Sequence, residues 1–170
     1  MISGVIRKGR NEVAREQTVM FEDVKIVLRN FAGKPGKFNR DGDRNFAILL
    51  SDYDAKAMAE DGWNVKWFRP REEGDPQQAY LPISLVFGAR PPRVNMITSR
   101  GRTPLHESDI EILDWADIAT VDVIIRPYDW TVNGATGRKA YLKTMFVTIV
   151  EDELDLKYND DIQARAGRIE

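Results

Sequence analysis

The chain reads as a mainly β protein folded as a small barrel. Stretches alternating apolar and polar residues recur along it, turn signals rich in Gly and Pro separate them, and only one or two segments suit a short helix. Six or seven strands in that arrangement fit a barrel better than a helical bundle or a doubly wound sheet. At 170 residues and 42% hydrophobic content, the chain can bury a core as one domain.

Taken in order, residues 1–17 form a polar arm carrying Arg7, Lys8, Arg10 and Arg15, and a domain over residues 18–150 follows. Residues 18–31 (TVMFEDVKIVLRNF) read as a long strand with Val24, Ile26 and Leu28 on one face. Residues 32–44 hold three glycines and a proline, which block regular structure, and carry Lys34, Lys37, Arg40 and Arg44 around Phe38. A second strand over 45–51 leads to a short helix over 52–61, capped by Asp52 and ended by Gly62. Residues 63–70 return to alternation, with Trp63, Val65 and Trp67 inward and Lys66 and Phe68 outward. Strands over 80–88 and 94–99 follow, then a loop over 100–104. A helical turn comes next, with Ile110, Leu113 and Trp115 as core anchors.

Residues 121–150 (VDVIIRPYDWTVNGATGRKAYLKTMFVTIV) form a hairpin and are the most informative stretch. Strand alternation places Val121, Val123 and Ile125 on the core side and Arg126, Tyr128 and Trp130 together on the other. Beyond the Asn133-Gly134 and Thr136-Gly137 turn signals, Lys139, Tyr141 and Lys143 again share a face. The last segment, residues 151–170, opens with six acids and one lysine within 151–161.

Composition removes several functions. With no cysteine there is neither a disulfide nor a thiolate metal site, and a single histidine, His106, leaves no zinc triad. No apolar run spans a bilayer and the first residues lack the apolar core of a signal peptide, so an intracellular protein is expected. The net charge of −2 hides a blocked distribution. Residues 1–44 hold ten Lys/Arg against six Asp/Glu, while residues 88–104 hold four arginines and no acid. Such blocks set the local field that a phosphate chain would meet.

A planar ring beside a cation suits a single-stranded nucleic acid, since the ring stacks on a base and the cation meets a phosphate. The candidate stacking residues are Phe38, Phe68, Tyr128, Trp130 and Tyr141; the candidate phosphate ligands are Lys34, Lys37, Arg40, Arg44, Lys66, Arg126, Lys139 and Lys143. Trp63, Trp67, Phe46, Phe87 and Trp115 suit the core, and Phe21 and Phe146 fit either place. No Walker loop, calcium loop or nucleophile motif is present, and Asp41 and Asp43 suit a turn. No catalytic residue, metal or cofactor is therefore assigned.

These residues resemble the bacteriophage single-stranded-DNA-binding proteins of OB-fold type. The resemblance rests mainly on residues 121–150: Pro127-Tyr128, the turn glycines Gly134 and Gly137, and Ala140-Tyr141-Leu142-Lys143 running on to Glu151. A softer match covers NFAILLSDYDAKAMAEDGWNVK, and the whole spans about residues 18–155. It implies a five-stranded Greek-key barrel with extra strands and loops. It also implies a protein that coats single-stranded DNA in phage replication or recombination, without sequence preference, in the cytoplasm of the bacterial host. The acidic tail is a candidate for recruiting replication proteins, although QARAGRIE follows the acids where such proteins commonly end in acids and an aromatic. Residues 69–80 and 90–102 are not standard barrel parts and receive no role.

Two other readings stay open on the residues alone. One is a phage structural or assembly protein using its barrel for protein–protein contacts, and the other is a metal-dependent nuclease. RNA also fits a stacking surface, because stacking does not sense the 2′-hydroxyl.

Overall fold

The structure, a computed structural model, describes residues 17–152 and Lys157. The arm over residues 1–17 and the acidic tail therefore fall almost wholly outside the described residues. Nine strands make one sheet among those residues. They are β1 (Val19–Phe21), β2 (Ile26–Asn30), β3 (Arg44–Leu50), β4 (Lys66–Trp67), β5 (Ala79–Leu85), β6 (Arg93–Thr98), β7 (Gly101–Leu105), β8 (Ile118–Val132) and β9 (Ala135–Ile149). Helix α1 (Asp52–Glu60) lies between β3 and β4, and a 3-10 turn (Ile110–Asp114) precedes β8. No helix of the described residues is long and apolar enough to cross a membrane.

The sheet closes because its first strand is bent. The hydrogen-bonded order is β1-β8-β9-β5-β3-β2, and β1 and β2 are parts of one chain segment at the two ends of that path. Between them Asp23 takes a left-handed conformation (φ 52°). The Asp23 N–H donates to Asp122 Oδ1 at 2.8 Å. Val24 N then bonds Val121 O beside β8, and Lys25 O accepts from Leu49 N of β3. Counting β1/β2 as the first strand, then β3, β5, β8 and β9, the path runs first-second-third-fifth-fourth and back to the first. That is a five-stranded Greek-key barrel. Its one parallel junction joins β5 to β9 through Ile83↔Ala140 and Ser84↔Tyr141. Phe21, Phe31, Phe46, Ile48, Leu81, Ile83, Ile125, Leu142 and Met145 fill the interior with under 2% of their surface exposed.

The remaining strands are additions to the barrel. The β6–β7 hairpin extends along the second half of β9, which pairs with β6 in parallel from Arg93↔Thr144 to Ile97↔Thr148. Its β7 occupies residues 101–105, where a loop was expected. Pairing across the hairpin satisfies backbone groups that a loop would leave to water. Helix α1 is capped by Ser51, whose hydroxyl accepts from Asp54 N at 3.1 Å, and not by Asp52.

Two expected core residues lie outside it. Trp115 is 64% exposed because the 3-10 turn has three residues per turn, so Ile110 and Leu113 share the buried face and Trp115 turns away. Trp67 is 46% exposed because β4 is a two-residue edge strand with neither face covered. The long first strand is also broken: Leu28 (φ 52°) sits at a register shift between Val27 and Asn30 and faces solvent. Phe21 belongs to the core, Phe46 is buried as expected, and Phe87 packs against the core half-buried.

Candidate nucleic-acid interface

The β2–β3 connection is a braced loop. Asn30 clasps Lys34 through both side-chain atoms, accepting from its N–H at 2.9 Å and donating to its carbonyl at 3.0 Å. Asn39 Nδ2 donates to the carbonyls of Lys34 (2.8 Å) and Asp43 (3.0 Å), and Asn39 Oδ1 accepts from Asn45 (2.8 Å). Asp114 receives the N–H groups of Phe31 (2.7 Å) and Ala32 (3.0 Å) at the loop's base. Gly33 (φ 70°) passes so close to Gly42 that a Cβ would lie 3.0 Å from its carbonyl carbon. Held this way, the loop presents Phe38 with 93% of its surface exposed. The Lys37 ammonium stands 5.5 Å from the ring centre.

Between this loop and the outer faces of β3, β5 and β9 lies a groove of about 980 Å³. Phe38, Arg40 and Arg44 wall one side, and Tyr80, Pro82 and Ser84 of β5 form the floor. Lys66 of β4 and Lys139 and Tyr141 of β9 complete it. In the five-strand count this is the face of strands two and three beside the loop joining one and two, where OB-folds bind oligonucleotides. Two carboxylates border the groove. Asp43 lies 3.6 Å from Arg40, and Glu107 lies 4.0 Å from Arg44. Arg44 also donates to Phe31 O, so it pins the loop's base as well as facing the groove.

The thirteen expected binding residues divide into groups. Phe38, Arg40, Arg44, Lys66, Lys139 and Tyr141 converge on the groove. Lys34 and Lys37 stand on the same loop, outside its lining. Phe68 is half-buried and stacks on Tyr80 at 4.2 Å, so the ring facing the groove is Tyr80, which alternation alone did not single out. Arg126 and Lys143 leave the groove and line a second depression with Arg90 and Arg93.

Tyr128 and Tyr141 stack at 5.2 Å with their planes 13° apart, diagonal neighbours across β8 and β9. Tyr128 keeps 51% of its surface exposed.

Trp130 stands further out, where β8 and β9 run beyond the barrel as a two-stranded wing. The wing turns at Asn133 (φ 50°) and Gly134 (φ 81°), the pair of positive φ values that a tight hairpin requires. Gly137 is therefore not in the turn but opposite Trp130, and a Cβ there would fall inside the indole. The wing is tied down by Arg138, which donates to Asp129 Oδ1 at 2.8 Å and Asp61 Oδ2 at 3.0 Å. The same guanidinium lies 5.6 Å from the Trp63 ring centre. The Asp129 bond and its charge push the Arg138 pKa further up, so this latch stays charged.

The family described as "Putative phage ssDNA-binding domain" matches residues 9–169. No curated protein matches the chain. Among solved structures, a single-stranded DNA-binding protein from bacteriophage Enc34, in complex with ssDNA, is similar with a TM-score of 0.54 at 10% identity. That match covers 86% of this chain and 97% of the other. A second structure of the Enc34 protein aligns with a TM-score of 0.51 at 10% identity, over 87% of this chain and 92% of its own. At that identity the likeness establishes the fold.

Proposed function

The chain belongs to the phage ssDNA-binding domain family, and on that premise we propose that it binds single-stranded DNA along the groove, without reading sequence. One observation carries the reading: exposed Phe38 and half-buried Tyr80 and Tyr141 share a groove with Arg40, Lys66 and Lys139. Rings stack on any base, while the cations track the backbone. Stacking and phosphate contacts of this kind tolerate any sequence, so coating is the role that fits, in phage replication and recombination. The Enc34 protein, similar in fold, was solved with ssDNA.

The reaction class is binding and not catalysis. Both groove carboxylates lie close to arginines, whereas a two-metal nuclease needs acids converging on one point. Coating would take place in the bacterial host's cytoplasm. The six acids of residues 151–161 suit recruitment of basic surfaces on replication proteins.

Anisotropy of labelled oligo(dT), followed against salt with duplex DNA as control, tests this. Neutralising about five phosphates through Arg40, Lys66, Lys139 and the loop lysines predicts a slope of log affinity on log salt near −3.5. A salt-independent complex, or a fixed oligomer with no oligonucleotide affinity, would replace this reading with that of an assembly protein.

A further inference from the structure

We propose that exposed Ile112 and Trp115 are the docking point for the basic arm, residues 1–16, of a second copy of this chain lying next along the same DNA strand. The proposal rests on the groove reading above. Residues three apart in a 3-10 turn eclipse one another, so burial of Ile110 and Leu113 sets Ile112 and Trp115 together on the outer side. Trp115 N–H bonds Ile112 O at 3.2 Å, which carries the turn through the tryptophan. Trp115 is 64% exposed and Ile112 42%. Large apolar side chains exposed side by side are what a protein interface buries.

The charge around the pair indicates what covers it. Residues 105–117 hold five acids and no lysine or arginine. Asp109 accepts from His106 N, Asp114 from Phe31 N and Ala32 N, and Glu107 faces Arg44 at 4.0 Å. Glu111 and Asp117, both exposed, flank the pair in sequence. Arg29 reaches the turn from β2, where Nη1 donates to the carbonyls of Leu113 (3.2 Å) and Ala116 (2.8 Å). One cation against five acids leaves the surroundings acidic, so a basic and apolar segment complements them. The arm has that composition. Ile2, Val5 and Ile6 directly precede Arg7, Lys8 and Arg10, and residues 1–16 hold four cations against two acids.

Topology assigns the arm to another copy. Strand β1 runs antiparallel to β8, from Val19↔Ile125 to Phe21↔Val123. Followed back from Val19, the chain therefore heads toward Pro127, whereas the Ile112–Trp115 pair lies before Ile118, where β8 begins. Ile118 and Ile125 are about 23 Å apart along that strand, so the arm leaves pointing away from its own pair. Its sixteen residues reach up to about 53 Å when extended. Pro127 pairs with Ala140, next to Lys139 on the β9 side of the groove, while Glu107 lines the groove on the loop side. Copies following one another along a strand thus bring the arm of one to the exposed pair of the next. Such a head-to-tail contact does not close on itself and continues as an open array.

The test compares the wild type with Ile112→Ser/Trp115→Ser, a surface change, and with Ile2→Ser/Val5→Ser/Ile6→Ser, which keeps the arm's cations. Each is titrated with oligo(dT) of about 8 nucleotides, short enough for one groove, and of about 60, which takes several copies. All three proteins should bind the short oligonucleotide alike. On the long one the wild type should bind more tightly per site and with a steeper isotherm, and both variants should lose about 30-fold, as removal of an interface's central aromatic does. A wild type with the same affinity per site at both lengths would overturn the contact while leaving the groove in place. Equal losses at both lengths for the Ile112/Trp115 variant would overturn it too, placing the pair in the DNA site itself. Loss in that variant alone would overturn the arm as the occupant. Absence of any wild-type binding would remove the groove reading, and this proposal with it.

Discussion

Phe38→Ala separates recognition from stability more cleanly than any other substitution in the groove. The ring is 93% exposed, and its near neighbour is the Lys37 ammonium at 5.5 Å. Removing it uncovers no core, so the unfolding midpoint should stay within the small range of surface changes. The loop beneath it is braced by Asn30 and Asn39, so the backbone that carries the ring is already in place before a base arrives. A base stacked on such a ring contributes about 1–3 kcal/mol, so truncation should weaken oligo(dT) binding about 5- to 150-fold. The salt slope should not move, because no charge is lost. Anisotropy titrations at several salt concentrations, alongside urea unfolding of both proteins, measure all three quantities. An unchanged dissociation constant would refute stacking at Phe38, and a shallower slope would mean that the loss had displaced the loop's lysines instead.

Lys139→Ala should do the reverse, lowering the slope by about 0.7 on oligonucleotides of any length that fill the groove; an unaltered slope would take Lys139 out of the phosphate path. Gly137→Ala should push the indole of Trp130 off β9, seen as stronger acrylamide quenching of tryptophan fluorescence, since the new Cβ would occupy the ring's place. Unaltered quenching would show that the wing absorbs the methyl without moving Trp130. Asp54 offers a pH test. Burial pushes its carboxyl above the ordinary 3.8, with the Ser51 hydroxyl partly opposing. A raised folded-state value means that stability from the protonated form is full below the ordinary value and is lost as pH rises through the folded one. Urea unfolding should therefore show Asp54→Asn gaining on the wild type as pH rises above the ordinary carboxyl value, and a difference that stays flat would contradict the burial argument.

Much of the site was legible because strand alternation is local. In β8, Val121, Val123 and Ile125 are buried, and Arg126 and Tyr128 face out, as a period of two requires. The loop's glycines and proline announced irregular backbone around Phe38, and Asn133-Gly134 announced the hairpin. Strand alternation alone misplaces Phe68. Its parity pointed outward, yet it lies half-buried on Tyr80, and only the pairing of β4 on β5 sets those rings 4.2 Å apart.

By itself the sequence determined the strand periods, the turn at Asn133-Gly134, the basic aromatic loop and the mainly β class. Each depends on residues within a few positions of one another. Tertiary structure decided how the strands close and where each cation points. The bend at Asp23 lets one segment pair with both β8 and β3. The bulge at Lys143 turns it from Tyr141's groove toward Arg90 and Arg93. A register shift moves side chains to another face without altering local composition, because it is set by partners distant in the chain.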